Sequence, residues 1–154
     1  RSTLFPYTTL FRSERWSSPN TPQQIVPSTQ LHPAFVLNNT APGITYTGPW
    51  SLSSARGLGD YANDVHFTTT NGAAVSYTFT GTGIDLITER FSDQGLVDVF
   101  LDGTLQSTID TSNPARLTQQ AVYSKRGLPA GTHTLRAVKR SGTYMLVDRL
   151  DIIS

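Results

Sequence analysis

Val75-Ser-Tyr-Thr-Phe-Thr-Gly-Thr-Gly-Ile-Asp-Leu-Ile-Thr-Glu-Arg-Phe-Ser-Asp-Gln-Gly-Leu-Val-Asp-Val-Phe-Leu-Asp102 is the stretch that decides the fold. Val75, Tyr77 and Phe79 alternate with Ser76, Thr78 and Thr80. That is the period of a strand with one face in a core, because successive side chains of an extended chain point to opposite sides. Gly81-Thr82-Gly83 punctuates the chain before Ile84 to Glu89, a second strand. The loop Arg90–Gln94 follows, and then Val97, Val99 and Leu101 alternate with Asp98 and Asp102, with Phe100 breaking the polar face. Asp102-Gly103 predicts a tight turn into a further strand, Leu105 to Asp110.

The same reading extends outward. Phe35–Leu37, Ile44–Thr47 and Asp64–Thr69 precede the block, with Val65 and Phe67 on one face. Asn71-Gly72 predicts a hairpin turn between Asp64–Thr69 and the strand at Val75. Leu117–Ser124, Thr132–Lys139 and Tyr144–Ile153 close the pattern. About ten short strands with turn residues between them, and no helical period, predict an all-β sandwich or jelly roll of two antiparallel sheets.

Composition narrows the function classes. Residues 1–13 are similar at all 13 positions to the translation of a common sequencing-adapter oligonucleotide and are set aside; on that resemblance the chain is expected to be a metagenomic fragment lacking its true start. Residues 14–33 carry Pro19, Pro22, Pro27 and Pro33 among polar residues and are expected to be a linker to an upstream domain. Residues 34–154 then form one module. Without Arg1 and Arg12 the balance is 10 basic against 11 acidic residues, a net charge of −1. The basic residues are scattered, which argues against a nucleic-acid partner. No apolar run approaches the ~20 residues of a membrane helix, so no membrane insertion is expected. The absence of cysteine excludes disulfides and thiolate metal sites. Abundant Ser and Thr, low charge and only two lysines lean towards a secreted or cell-surface setting.

Four segments carry a resemblance: Gly-Thr-Gly-Ile-Asp-Leu (81–86), Gly-Leu-Val-Asp-Val-Phe-Leu-Asp-Gly (95–103), Tyr-Ser-Lys-Arg-Gly-Leu-Pro-Ala-Gly-Thr-His-Thr-Leu (123–135) and Ser-Gly-Thr-Tyr-Met-Leu-Val-Asp (141–148). Over roughly Thr45 to Ile153 the chain resembles the galactose-binding-domain-like β-sandwich found as carbohydrate-binding modules and accessory domains of secreted bacterial proteins. The resemblance implies a jelly roll whose partner is a polysaccharide or glycan, or else a sandwich that only spaces other domains. It requires no cofactor. It admits a structural calcium on carboxylates such as Asp148 and Asp151, although the acidic motif that would complete the site near the domain's start is not evident.

A sugar presents apolar C–H faces and a ring of hydroxyls, so a site needs flat aromatics beside carboxylates, amides or guanidiniums. The loop Glu89-Arg90-Phe91-Ser92-Asp93-Gln94-Gly95 concentrates all of these, with Glu89, Arg90, Phe91, Asp93 and Gln94 as candidates. A solvated connection with a Glu89–Arg90 or Arg90–Asp93 pair is the plain alternative. The segment Arg56-Gly57-Leu58-Gly59-Asp60-Tyr61-Ala62-Asn63-Asp64-Val65-His66 offers Tyr61 and His66. Asn113-Pro114-Ala115-Arg116 and Lys139-Arg140-Ser141-Gly142-Thr143-Tyr144 offer Arg116 and Lys139, if loops from several hairpins gather at one end. Trp50 is expected to be a buried anchor, and His133 to lie on the outer face of its strand. Catalysis finds no nucleophile elbow, and His32, His66 and His133 lack the spacing of zinc ligands, so an enzyme is not expected.

Overall fold

The computed structural model describes residue 33 and residues 35–154; the expectations for segments 1–13 and 14–33 (Pro33 apart) lie outside the described residues. Twelve strands and one 3-10 turn, Tyr61–Asn63, are present among them. In chain order the strands are β1 (Phe35–Asn38), β2 (Thr45–Thr47), β3 (Ser51–Ser54), β4 (Asp64–Thr68), β5 (Ala74–Gly81), β6 (Gly83–Arg90), β7 (Leu96–Leu101), β8 (Thr104–Asp110), β9 (Leu117–Lys125), β10 (Gly131–Lys139), β11 (Met145–Val147) and β12 (Arg149–Ile153). They form a four-stranded sheet β9-β6-β12-β1, a five-stranded sheet β2-β5-β10-β7-β8 and a small sheet β11-β4-β3, all antiparallel.

The all-β sandwich expected from the alternation is the fold. Val75, Phe79, Val97, Val99, Leu101, Leu135 and Ala137 of the five-stranded sheet meet Ile84, Leu86, Val122, Leu150 and Ile152 of the four-stranded sheet in one core. Strand β6 is buried along almost its whole length, so its second face, Asp85, Ile87 and Glu89, is covered as well. Phe100 breaks the polar face of β7 for a local reason: it pairs across the ladder with Arg136, whose guanidinium lies 5.6 Å from the ring centroid.

Several local expectations are corrected. Asp102-Gly103 does make the β7–β8 hairpin, both residues taking positive φ (50° and 82°). Asn71-Gly72 does not make one, because the strands it joins belong to different sheets: β4 pairs with β3 and β11, and β5 with β2 and β10. Only Gly72 of that pair has positive φ, and the turn carries the chain from sheet to sheet. The expected strand Tyr144–Ile153 is two strands, split at Asp148, where the chain leaves the small sheet for the four-stranded one. Strand β3 was not foreseen, since Ser51-Leu-Ser-Ser54 lacks β-branched and aromatic residues and owes its form to pairing with β4. His133 shares the inward parity of Leu135 and Ala137; its ring nitrogens bond the Asp102 carboxylate (2.7 Å) and the Pro129 carbonyl (2.8 Å). Trp50 is half-buried and packs at the core's edge, 4.9 Å from Tyr46, as an anchor would.

This register predicts contrasting costs for two leucines. Leu150→Ala, in the core, should lower the free energy of unfolding by about 2–5 kcal/mol. Leu105→Ala, half exposed on edge strand β8, should stay within about 0.5 kcal/mol of the parent. Urea denaturation of both variants checks the assignment of faces.

Candidate functional site

At the end of β6 lies a cleft of about 290 Å³ lined by Ser53, Arg56, Leu58, Phe67, Glu89, Asp93, Gln94, Arg116, Tyr144 and Leu146. Its floor is the Glu89 carboxylate, shut off from solvent. Arg56 Nη2 donates to Glu89 Oε1 at 2.7 Å, and Arg116 pairs with Oε2. A buried carboxylate is tolerated when it is paired in this way. Arg56 also donates from Nε to Asp60 Oδ2 (2.7 Å), so one guanidinium bridges two buried acids. The Arg116 guanidinium rests 3.9 Å from the centroid of Phe91.

Backbone bonds hold the surrounding loops. Phe91 N donates to Thr111 O (3.2 Å), Asn113 N to Phe91 O (3.3 Å) and Thr111 N to Gly95 O (2.9 Å), which locks the Arg116 segment to the 91–95 loop. Thr143 N and Tyr144 N both donate to Asp93 O, at 2.9 and 3.0 Å. Gly142 makes this approach possible: its φ is +78°, and a Cβ there would lie 2.6 Å from the Gln94 carbonyl carbon and the Gly95 nitrogen. Tyr144 is thereby set beside Gln94 and meets Phe67 edge-on, with ring centroids 5.8 Å apart. The Arg56 loop is closed by Gly57 N on Asn63 Oδ1 (2.6 Å) and held to β9 by Gln119 Nε2 on Gly59 O (2.8 Å).

Two polar side chains of the cleft are uncommitted. Gln94 is 5% exposed, yet neither its Oε1 nor its Nε2 has a hydrogen-bond partner among the described residues. The Asp93 carboxylate, half-buried, has no hydrogen-bonding or ionic partner among them. An unsatisfied buried amide costs free energy, which makes Gln94 the most conspicuous polar group of the cleft.

Of the residues singled out from sequence, Glu89, Asp93, Gln94 and Arg116 come together here. Phe91 stands behind Arg116. Lys139 is buried, contrary to its expected place in a site: Nζ donates to Asn71 Oδ1 and Gly142 O, both at 2.6 Å, and burial lowers its pKa. It supports the Gly142 turn from beneath. His66 faces away because it alternates with Phe67 on β4; it stacks on Tyr46 (4.2 Å) and its Nδ1 lies 2.6 Å from Asn39 Oδ1. Tyr61 packs beneath the Arg149 guanidinium at 5.3 Å, outside the cleft. Arg90 is turned to the Asp110 carbonyl, so neither local pair suggested for that loop forms. Arg56, Leu58 and Tyr144 lie within candidate segments but were not chosen. Ser53, Phe67 and Leu146 were missed, because strand pairing brings them in.

Calcium does not fit Asp148 and Asp151. Both Asp148 oxygens accept from Tyr61 N, at 3.0 and 3.1 Å, while Asp151 is engaged by Arg149 (2.9 Å). No three acidic or histidine side chains among the described residues are grouped to hold a metal ion. Burial pushes the Asp148 carboxyl up to about 6; the Tyr61 N–H opposes this, and the neighbouring charges of Asp60 and Asp64 add to it, against that of Arg149.

No protein-family model matches the chain. The chain is 30% identical over 107 residues to the A type blood N-acetyl-alpha-D-galactosamine deacetylase of Flavonifractor plautii, covering 69% of this chain and 14% of that protein. It is 32% identical over 103 residues to the A type blood alpha-D-galactosamine galactosaminidase of the same organism, covering 64% and 9%. The chain thus spans only a small part of either relative. Among solved structures, the CBM36-1 domain of a multidomain xylanase from the hindgut metagenome of Trinervitermes trinervoides superposes with a TM-score of 0.53 at 16% identity, over 78% of this chain and 96% of that one. The Podospora anserina GH26-CBM35 beta-(1,4)-mannanase gives 0.52 at 18% identity, over 72% and 27%. The Agl-KA catalytic domain gives 0.56 at 17% identity, over 86% and 30%. These likenesses establish a fold shared with carbohydrate-binding-module sandwiches.

Two stability predictions follow from the buried charges. Glu89→Gln leaves Arg56 and Arg116 without their shared anion and should cost about 3–5 kcal/mol in urea denaturation. Asp148 ionises near 3.8 when unfolded but holds its proton to about 6 in the fold. Its contribution to stability is therefore greatest below the lower value and declines as pH rises to the higher one. Asp148→Asn removes that decline. The variant's stability relative to the parent should rise between pH 4 and 6 and be flat above; a difference independent of pH would contradict the assignment.

Proposed function

We propose that this sandwich is a non-catalytic carbohydrate-binding domain that holds an attached enzyme or surface protein against a polysaccharide outside the cell. The observation that carries the reading is the cleft in which Gln94, unpartnered and buried, adjoins the Phe67–Tyr144 pair. A carboxamide both donates and accepts, which suits neighbouring hydroxyls of a sugar, while an aromatic ring's face suits its C–H groups. The cleft lies near the lower end of the about 300–1,000 Å³ usual for ligand pockets, so it takes a short segment of a chain. Glu89 and Asp93 do not act as an acid–nucleophile pair in this reading, since Glu89 is enclosed and claimed by two guanidiniums. Similarity to parts of two glycan-modifying proteins supports a carbohydrate-related accessory role. Weak binding at one shallow cleft gains from neighbouring modules in the same protein.

The test is electrophoresis of the full chain in native gels cast with soluble polysaccharides, including glycans with galactosamine and N-acetylgalactosamine. At least one glycan class should retard the protein, and Gln94→Ala or Tyr144→Ala should weaken binding about tenfold, while Arg136→Ala should not. A calcium chelator should change nothing. A folded protein that no glycan retards would instead be a structural or interaction sandwich, and hydrolysis of any glycan would overturn the non-catalytic reading.

A further inference from the structure

Two guanidiniums and two carboxylates line the cleft, but they are not all paired with one another. Arg56 is committed to Asp60 and Glu89, and Arg116 to Glu89 and the face of Phe91. Both guanidiniums of the lining are thus engaged by Glu89 and Asp60, and no cation among the described residues pairs with the Asp93 carboxylate. Its main chain is fixed by the two N–H donors of Thr143 and Tyr144, so the side chain sits on a held loop. Gln94, the next residue, contributes the buried and unpartnered amide.

We infer that the cleft selects glycans bearing a free amino group, with the Asp93 carboxylate receiving the ammonium and the Gln94 amide bonding an adjacent hydroxyl. This rests on the carbohydrate-binding reading and names its ligand class. A hydroxyl donates one hydrogen bond to the Asp93 carboxylate. An ammonium donates one as well and adds the attraction of a full opposite charge, which no cation among the described residues supplies there. A uronate or sulfate meets the opposite situation: Asp93 repels it, and the cations that would receive it are already taken. An N-acetyl group removes the positive charge and adds bulk at the same position.

Titration calorimetry on the full chain at about 0.15 M salt separates these cases, because at that ionic strength charges beyond about 8 Å are screened. The probes are matched sugars differing only at one substituent: chitosan, chitin and cello-oligosaccharides, together with galactosamine, N-acetylgalactosamine and galactose. In at least one series the amine should bind about tenfold tighter than its acetylated and hydroxyl counterparts. Asp93→Asn should abolish that preference while leaving the weaker neutral-sugar binding. Asp98→Asn, which removes an equal charge from the five-stranded sheet, should preserve the preference. Equal or tighter binding of the neutral sugars, or an amine preference that survives Asp93→Asn, would overturn this inference and leave the carbohydrate-binding reading standing. Failure of every sugar and of every polysaccharide in the gels would overturn both.

Discussion

The pairing of the enclosed Glu89 carboxylate with Arg56 and Arg116 is the constraint around which this end of the sandwich is arranged. A carboxylate without solvent is costly unless opposite charge meets it, and meeting it twice requires two segments far apart in sequence to close over the end of β6. Arg56 arrives on the loop before the 3-10 turn, and Arg116 on the segment leading into β9. Each segment is tied down in turn, the first through Asn63 and Gln119, the second through Thr111 and Asn113. The ion pairs thus fix the floor and two sides of the cleft.

The opposite wall depends on close backbone approach. Gly142 lets the 141–144 turn lie against Gln94 and Gly95, and Lys139 braces it from within the fold by spending its ammonium on Asn71 and the Gly142 carbonyl. Tyr144 and Phe67 then come from different elements of the small sheet's neighbourhood to form one aromatic wall. Asp93 and Gln94 line the same cleft, and neither side chain has a partner among the described residues.

The sandwich was legible in the sequence because β5 and β7 each have one core face, so Val75 and Phe79, and Val97, Val99 and Leu101, print a period of two. Strand β6 was legible as an apolar run, but the ion pairing of its last carboxylate was not: Glu89 stands next to Arg90, and the nearer arginine was the natural partner to consider. The fold chose Arg56 and Arg116 instead, because alternation directs Glu89 to the covered side. The same rule removed His66 from the site and put Phe67 into it, one residue apart on β4. Ser51–Ser54 left no trace in the pattern, since its strand form comes from β4. A lysine at the end of a strand, next to Arg140 and a Ser-Gly turn, reads as exposed, and only the tertiary fold supplies the two oxygens that permit the burial of Lys139.

The central claim is that one cleft, organised by Glu89 and presenting Gln94 and Asp93, is where a glycan is held. The most direct measurement is a glycan titration of the nitrogen-15-labelled chain, following side-chain and backbone amides by NMR. The account predicts that the Gln94 side-chain amide and the backbone amides of Gly95 and Tyr144 shift together and saturate with one affinity. Shifts confined to the outer face of the five-stranded sheet, around Asp98, Thr108 and Arg140, would contradict it.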